Sequence, residues 1–202
     1  MNSKKLLKKR KSVKKFNPAH VISQEEAREI VALAQTAPSA WNLQHWRVIA
    51  VDDPALKAEI RAAGYDQAQL EEASMIFIIL ANVFAHEQLE EIYLPLLQEG
   101  LMHPPQYLKL QDNLGERSDI TQPLREEAIL NASLFAMQLI LAAESFGHDT
   151  GPVGGFDRER VKTLLGLPDH LIPILLVAAG KAAEPAPLTT RLPEESILSF
   201  NR

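Results

Sequence analysis

The chain contains no cysteine among its 202 residues. It therefore forms no disulfide, thiolate metal site or cysteine nucleophile, and it is compatible with a reducing compartment. The Gly-x-Ser-x-Gly nucleophile elbow and the Gly-Lys-Ser/Thr triplet of a Walker loop are also missing. Gly151, Gly154 and Gly155 do not form the Gly-x-Gly-x-x-Gly dinucleotide fingerprint. Because no paired carboxylates or metal-ligand cluster stand out, we expect no metal site and no catalytic side chain of these kinds.

Long hydrophobic runs are lacking as well, since no apolar run reaches the ~18 residues that a membrane span requires. No apolar segment follows the basic N-terminal residues, so they do not resemble a secretory signal. We therefore expect no membrane partner and a cytoplasmic location. The length, with 46% hydrophobic residues, predicts a single domain over residues 1–202 that buries its own core.

Positive charge is concentrated at one end of the chain. The net charge is -5, yet the first 15 residues are rich in lysine and hold no acid. Such an arm can bind nucleic acid, direct targeting or form a local anion site. We predict no nucleic-acid partner, because no aromatic residues alternate with the lysines and the remaining chain is acidic. Arg10, Ser12 and Lys14 would share one face of an extended chain, as a phosphate site requires, although a solvated basic run has the same spacing.

Hydrophobic periodicity divides the chain into helices and strands. Apolar runs predict strands near 46–51, 75–80 and 171–179, and helical spacing predicts helices over 3–11, 24–36, 84–98, 124–146 and 158–165. Ser23 and Glu26 match a capping box at the second helix. The helix over 124–146 is apolar around much of its circumference, which suits a core or a subunit interface. Residues 100–121 read as irregular, either a mobile cover over a site or an excursion.

Neutral polar side chains collect in the loop before the first strand. The loop runs Ala37-Pro38-Ser39-Ala40-Trp41-Asn42-Leu43-Gln44-His45-Trp46, and its proline ends the preceding helix. Its amides and hydroxyl suit a flat heterocycle whose edge alternates C=O and N–H groups. A polar turn packed over two tryptophans is the alternative. A second amide-rich patch, around Gln67 and Gln69, precedes the strand at 75–80.

Four motifs follow one another along the chain: Arg-Lys-Ser-Val-Lys-x-Phe, Ala-Pro-Ser-Ala-x-Asn-x-Gln-x-Trp, Pro-Val-Gly-Gly-Phe-Asp and Arg-Leu-Pro. In this order, over residues 8–195, they resemble the nitroreductase family of FMN-dependent oxidoreductases. The resemblance implies an α+β fold, with a mixed central β-sheet flanked by helices, in an intertwined homodimer. It also implies that FMN lies at the dimer interface and that the C-terminal extension, 184–202, reaches across the partner subunit.

The resemblance assigns contacts with the FMN phosphate and ribityl chain to both ends of the polypeptide. These residues are basic or hydroxyl-bearing: Arg10, Lys11, Ser12, Thr189 and Arg191. Lys14 resembles the cation beside the N1–O2 edge of the flavin, where its charge would raise the reduction potential.

The middle of the chain would hold the isoalloxazine ring. The loop that lines the ring matches Pro38, Ser39, Ala40 and Asn42, with Gln44 as its buried support. The backbone that approaches N5 and O4 matches Pro152, Val153, Gly154 and Gly155, where glycine permits close approach. Gln67 and Gln69 lie where the family contacts the pyrimidine end. Asp66 departs from the pattern, because relatives often carry Asn there and a carboxylate would repel O2 unless it faced away.

As a function, the resemblance implies hydride transfer from NADH or NADPH, through flavin N5, to a small-molecule acceptor such as a nitroaromatic or a quinone. Such a ping-pong reaction needs no nucleophilic side chain, because the cofactor carries the chemistry. Two alternatives stay open. One is a flavin-binding storage or sensing protein without turnover, and the other is a nucleic-acid-binding protein that uses the lysine-rich arm.

Overall fold

A four-stranded sheet runs through the centre of the chain, in the order β1-β2-β4-β3. The computed structural model describes residues 3–115 and 118–201. The strands are β1 (Trp46–Val51), β2 (Met75–Asn82), β3 (Asp149–Val153) and β4 (Leu171–Gly180), and every neighbouring pair is antiparallel. In the described residues the parallel pairing is limited to an isolated bridge between Thr150 and Ser12, which lies outside these four antiparallel strands.

Helices cover both faces of this sheet, which gives the α+β fold predicted from the sequence. They are α1 (Ser3–Lys9), α2 (Gln24–Ala34), α3 (Pro54–Ala63), α4 (Gln69–Glu72), α5 (Leu89–Gln98), α6 (Pro104–Leu114), α7 (Gln122–Ser145) and α8 (Arg158–Leu164). Short 3₁₀ turns span Ala40–Asn42, Ala85–Gln88 and Glu194–Ser196. The Ser23 hydroxyl accepts from the Glu26 backbone N–H, so α2 begins at the predicted cap.

The core explains why β2 is an uninterrupted apolar run. All of its residues are buried, because a central strand is covered on both faces. Phe77 and Ile79 face α2 and α7, whereas the alternate residues Ile76 and Ile78 face α3 and α8. The sheet therefore separates two hydrophobic layers, and the loops at its ends are left to carry polar groups.

Two segments differ from the sequence-based prediction. Residues 100–121, predicted to be irregular, contain α6, because Pro104 occupies the first turn of a helix, where it starts rather than breaks the helix. Tyr107 on this helix is buried in a small cluster with Leu43 and Leu89. The sequence patterns also assigned no strand to β3, which includes Gly151 and Pro152. An edge strand tolerates both residues because one side of it needs no regular ladder.

The long helix α7 forms the centre of the larger hydrophobic layer. Contrary to the expectation that no segment could span a membrane, it holds an 18-residue window with a mean hydropathy of 1.4, long and apolar enough by length and composition alone. Within the chain, 56% of that window is buried, and Phe135 and Leu139 are fully enclosed. The helix thus serves as a core helix. Its remaining surface exposes four large apolar side chains, Ile129, Leu130, Leu134 and Met137.

Candidate flavin site

The N-terminal basic segment is docked along the outer edge of β3. The Val13 backbone N–H donates to the Thr150 carbonyl at 2.9 Å, and Ser12 forms the bridge with the same residue. The Val13 side chain is buried, whereas Lys14 is exposed and Ser12 is half-buried. Val13 therefore faces the core, and its two neighbours Ser12 and Lys14 are less buried. The Arg10 guanidinium donates to the Ser12 hydroxyl at 3.4 Å, so these two phosphate-binding candidates lie side by side.

Two amide side chains lie just beyond the other end of β3, and one of them contacts the backbone. The Gln67 side-chain amide donates to the Gly155 carbonyl at 3.0 Å and to the Gly64 carbonyl at 2.9 Å. Gln69, which is buried, donates to the Gln67 side-chain oxygen at 3.3 Å. A methyl group added at Gly155 would meet nothing within 4 Å, so the backbone here is open to a ligand. The structure thus brings together Gln67, Gln69 and Gly155.

The turn that presents these amides is strained and is held by one arginine. Tyr65 and Asp66 have φ values of 55° and 58°, in the left-handed region that non-glycine residues seldom adopt. The Arg61 side chain donates to the Asp66 carboxylate at 2.7 Å and to the Glu71 carboxylate at 2.8 Å. The Asp66 carboxylate is therefore directed to Arg61, which removes the repulsion that its type alone suggested.

The loop over 38–44 is shaped by left-handed residues and by bonds from its neighbours. Trp41, Asn42 and Gln44 have φ values of 52°, 47° and 51°. Backbone strain of this kind costs on the order of 1 kcal/mol per residue and collects at functional sites. The Ser39 hydroxyl accepts from the Gln44 backbone N–H at 2.9 Å. Gln44 itself is half-buried rather than buried, and its side chain donates to the Asn42 carbonyl at 3.2 Å.

Two side chains outside the predicted set hold this loop in place. Asn131 in α7 is buried, and its side-chain oxygen accepts from the Ala40 backbone N–H at 2.7 Å. The Tyr93 hydroxyl donates to the Trp41 carbonyl at 2.8 Å. An asparagine in the middle of an apolar helix was the available sequence signal for the first contact. Nothing in the sequence pattern indicated the second.

Two parts of the predicted site stay separate from the rest in one chain. Within residues 3–115 and 118–201, no hydrogen bond or ion pair joins the 38–44 loop to the Gln67 turn or to Arg10. The tail residues Thr189 and Arg191 are exposed, and Arg191 donates to the Thr189 hydroxyl at 3.0 Å and to the Thr190 carbonyl at 2.8 Å. The geometry of a single chain therefore assembles the β3 half of the predicted site and leaves the other pieces apart.

The donors along β3 fit a phosphorylated flat heterocycle. The Arg10 guanidinium lies beside the Ser12 hydroxyl, and the Lys14 ammonium is exposed two residues further along the chain. These three donors suit a phosphate monoester. Amides and an open backbone stretch at the far end offer neutral donors and acceptors for a ring edge. In the part of the chain that the structure describes, no group of three or more acidic or histidine side chains could hold a metal ion.

Comparison with known proteins agrees with this geometry. A model of the Nitroreductase family matches residues 7–181. The chain is 38% identical over 199 residues to a Bacillus subtilis (strain 168) protein named "Putative NAD(P)H nitroreductase YodC", covering 98% of each chain. A Staphylococcus epidermidis crystal structure described as a "putative NAD(P)H:FMN oxidoreductase" superposes with a TM-score of 0.92 at 33% identity, covering 98% of this chain and 95% of that one.

A second crystal structure, from Exiguobacterium sibiricum, is described as a "putative nitroreductase in complex with FMN". It has a TM-score of 0.90 and 29% identity, and the match covers 100% of this chain and 98% of that one. The family match over most of the sequence, the identities and the superpositions all lead to one conclusion. This chain belongs to the nitroreductase family.

Proposed function

We propose that this chain is an FMN-dependent oxidoreductase that transfers a hydride from NADH or NADPH to an electrophilic acceptor such as a nitroaromatic or a quinone. When bound, FMN would supply the hydride chemistry at N5, and the donor and the acceptor would use the site in turn, as in a ping-pong reaction. The names of the relatives support this activity class. The observation that carries the proposal is the arrangement of donors along β3.

That strand connects the two kinds of donor that FMN requires. Arg10 and Ser12 lie at its beginning, where Ser12 bridges to Thr150, and Gln67 meets the backbone beyond its end, at Gly155. The five residue steps between Thr150 and Gly155 span about 17 Å in extended chain. Cationic donors at one end and neutral amides at the other support a ligand with a terminal phosphate and a flat polar ring.

In this assignment the chain binds, orients and tunes the cofactor, with no side chain acting as acid, base or nucleophile. Arg10, Lys11 and Ser12 would hold the phosphate, with Thr189 and Arg191 added from the tail. The exposed Lys14 would place a positive charge beside the ring and raise its reduction potential. Pro152, Val153, Gly154 and Gly155 would offer backbone groups to the ring edge, assisted by Gln67 and Gln69.

We also propose a homodimer, because the 38–44 loop is separate from β3 within one chain. Ser39, Ala40 and Asn42 of one subunit would then line the ring held by the partner. The apolar face of α7 and the tail support this assembly. The tail exposes large apolar side chains, namely Leu188, Leu192, Ile197, Leu198 and Phe200. Apolar groups clustered in this way on a chain surface mark an interaction site.

The outer edge of β1 is a suitable place for a partner's tail. In the described residues this strand pairs only with β2, whereas the outer edge of β3 is occupied by the Ser12 segment. A groove of about 460 Å³ lies between α2 and β1, lined in part by Ala27, Val31 and Val48. A cytoplasmic location and a small-molecule acceptor complete the proposal.

One anaerobic titration tests the activity. The apoprotein should take up one FMN per chain and become yellow, NADH or NADPH should bleach the flavin under nitrogen, and a nitroaromatic or a quinone should restore the colour. Sedimentation of the same sample should give a dimer. A yellow protein that neither nicotinamide bleaches would instead indicate flavin storage or sensing. A colourless protein that binds DNA with steep salt dependence would indicate a role for the lysine-rich arm in nucleic-acid binding.

A further inference from the structure

Glu144 is a carboxylate enclosed in the last turn of the apolar helix α7. The residue is 2% exposed, and in the described part of the chain one of its carboxylate oxygens, Oε2, is buried without a hydrogen-bond partner. Burial raises the pKa of its carboxyl group and Asp149 raises it further, whereas Lys9 and Arg10 act in the opposite direction. A buried carboxylate without a full set of donors is costly, so this position requires an explanation.

Glu144 is connected to the phosphate-binding segment through one peptide unit. The backbone N–H of Thr150 donates to the Glu144 carboxylate, and the Thr150 carbonyl accepts from the Val13 N–H at 2.9 Å. The neighbouring Ser12 forms the bridge with Thr150 and accepts from Arg10. The carboxylate therefore lies directly behind the segment that presents Arg10 and Ser12.

We propose that Glu144 is a proton-linked counter-ion of the phosphate site, which balances Arg10 in the free protein and takes up a proton when a phosphate monoester binds. This inference rests on the proposed function. A dianionic phosphate beside Arg10 satisfies the guanidinium and adds negative charge next to a buried carboxylate. The neutral carboxyl is then favoured in the complex. The proton comes from solvent and forms an O–H bond at Glu144, and no other bond changes.

The other charged groups around Glu144 do not take this role. Asp149 is engaged elsewhere, because its carboxylate accepts from the Ala182 backbone N–H at 2.8 Å. His148, which precedes Asp149 in the chain, also has other partners. Its Nε2 atom lies 3.0 Å from the Glu26 carboxylate, and its Nδ1 atom lies 3.1 Å from the His20 ring. Lys9 and Arg10 are cations, so they favour the ionised form of Glu144 in the free protein. Burial already outweighs these two cations, and a phosphate that neutralises Arg10 weakens their opposing effect further.

The test compares FMN with riboflavin, which lacks the phosphate, on the wild type and Glu144→Gln. Dissociation constants are measured by quenching of flavin fluorescence between about pH 5 and pH 8, and proton uptake by calorimetry in two buffers with different ionisation enthalpies. Glu26→Gln is the control, because it removes a carboxylate on the other side of His148. The second titration of the FMN phosphate is common to all variants and cancels in the comparison.

As pH rises, the wild type should lose affinity for FMN by about tenfold relative to Glu144→Gln, because only the wild type gains a buried negative charge. Riboflavin should bind the wild type and Glu144→Gln with the same pH dependence. Glu26→Gln should bind FMN with the same pH dependence as the wild type. Equal pH profiles for FMN in wild type and Glu144→Gln would overturn the counter-ion role and leave the proposed function intact. If Glu144→Gln fails to fold, equal proton uptake by the wild type with FMN and with riboflavin, after correction for the ionisation of the FMN phosphate itself, overturns it. Failure of the wild type to bind FMN would overturn both proposals.

Discussion

The two ends of the chain carry basic residues assigned to the same phosphate, but one end is docked and the other is not. The N-terminal segment buries Val13 and Phe16, which are 3% and 2% exposed, and its backbone bonds to β3. In the described residues, the C-terminal tail is anchored near its beginning, through a hydrogen bond from the Ala183 N–H to the Lys15 carbonyl, an ion pair between Lys15 and Glu184, and packing of Ala186 against the N-terminal segment. Farther on, Leu188 is 98% exposed.

This difference indicates which half of the phosphate site is built by one chain alone. A buried apolar side chain stabilises the folded chain by roughly 1.5–3 kcal/mol, and the N-terminal segment gains this twice. The tail has apolar residues of the same kind, but Leu188, Leu192 and Ile197 are exposed in the described part of the chain. We infer that the N-terminal half of the site is preformed and that the tail becomes ordered only on assembly.

The largest expected effect comes from undocking the preformed half with Gly151→Ala. A Cβ atom at Gly151 would lie 2.4 Å from the Val13 carbonyl oxygen. This oxygen is part of the backbone, so a side-chain rotation cannot relieve the clash. We expect the segment to separate from β3, with a loss of about 2 kcal/mol in the free energy of unfolding. FMN affinity should fall by about 100-fold, the equivalent of about 2.8 kcal/mol. Urea denaturation and flavin fluorescence measure the two losses.

The matched control is Gly155→Ala, because a Cβ atom there meets nothing within 4 Å. Its free energy of unfolding should equal that of the wild type. Equal stability of Gly151→Ala and Gly155→Ala would contradict the docked geometry of the N-terminal segment.

The second prediction asks whose Arg191 completes the site. The tail starts antiparallel to the N-terminal segment, as the pairing of Phe16 with Ala182 shows, so it heads toward the Arg10 end of its own chain. We therefore expect Arg191 to serve the phosphate bound by Arg10 of the same subunit, while the residues that follow reach the partner. Arg10→Ala and Arg191→Ala should each weaken FMN binding by about tenfold, as loss of one charged hydrogen-bond donor does.

Mixed dimers of Arg10→Ala with Arg191→Ala subunits separate the two possibilities. If both arginines of a site come from one chain, each site lacks one arginine and every FMN binds weakly. If the tail crosses over before Arg191, one site regains both arginines, and half of the FMN binds with wild-type affinity. A biphasic titration would therefore show that Arg191 belongs to the partner's site.

The sequence predicted the elements whose signals are local. The apolar run Met75-Ile76-Phe77-Ile78-Ile79-Leu80 has few alternatives to a buried strand, and Ser23 caps α2 with its own side chain. The contact between Arg10 and Ser12 also follows from their spacing, although the Arg10 backbone N–H closes the end of α1 by donating to the Leu6 carbonyl, and it is Ser12 and Val13 that pair with β3. In each case a few neighbouring residues contain the physical cause.

Other features depend on contacts between residues that are distant in the sequence, and hydrophobic periodicity does not report such contacts. Gly151 carried no strand signal in the sequence, but it is a strand residue whose missing side chain admits the Val13 carbonyl. Pro104 and Pro105 suggested irregular structure, although both are compatible with the first turn of α6. Asn131 has a partner 91 residues away in the sequence, at Ala40, and no local pattern reveals such a pair.

The smallest expected effect concerns the 38–44 loop. This loop is intermediate between the docked N-terminal segment and the exposed tail, because Asn131 anchors it while its backbone is strained at Gln44. Gln44→Gly should raise the free energy of unfolding by about 0.5–1 kcal/mol, since glycine adopts a φ of 51° without strain. Gln35→Gly is the control. Gln35 has a φ of -62°, so glycine there relieves nothing and should slightly destabilise the chain. A more stable Gln44→Gly that binds FMN severalfold less tightly would mean that the strain holds the loop in its binding shape. If Gln44→Gly lost stability as Gln35→Gly does, the left-handed conformation would not be a source of strain.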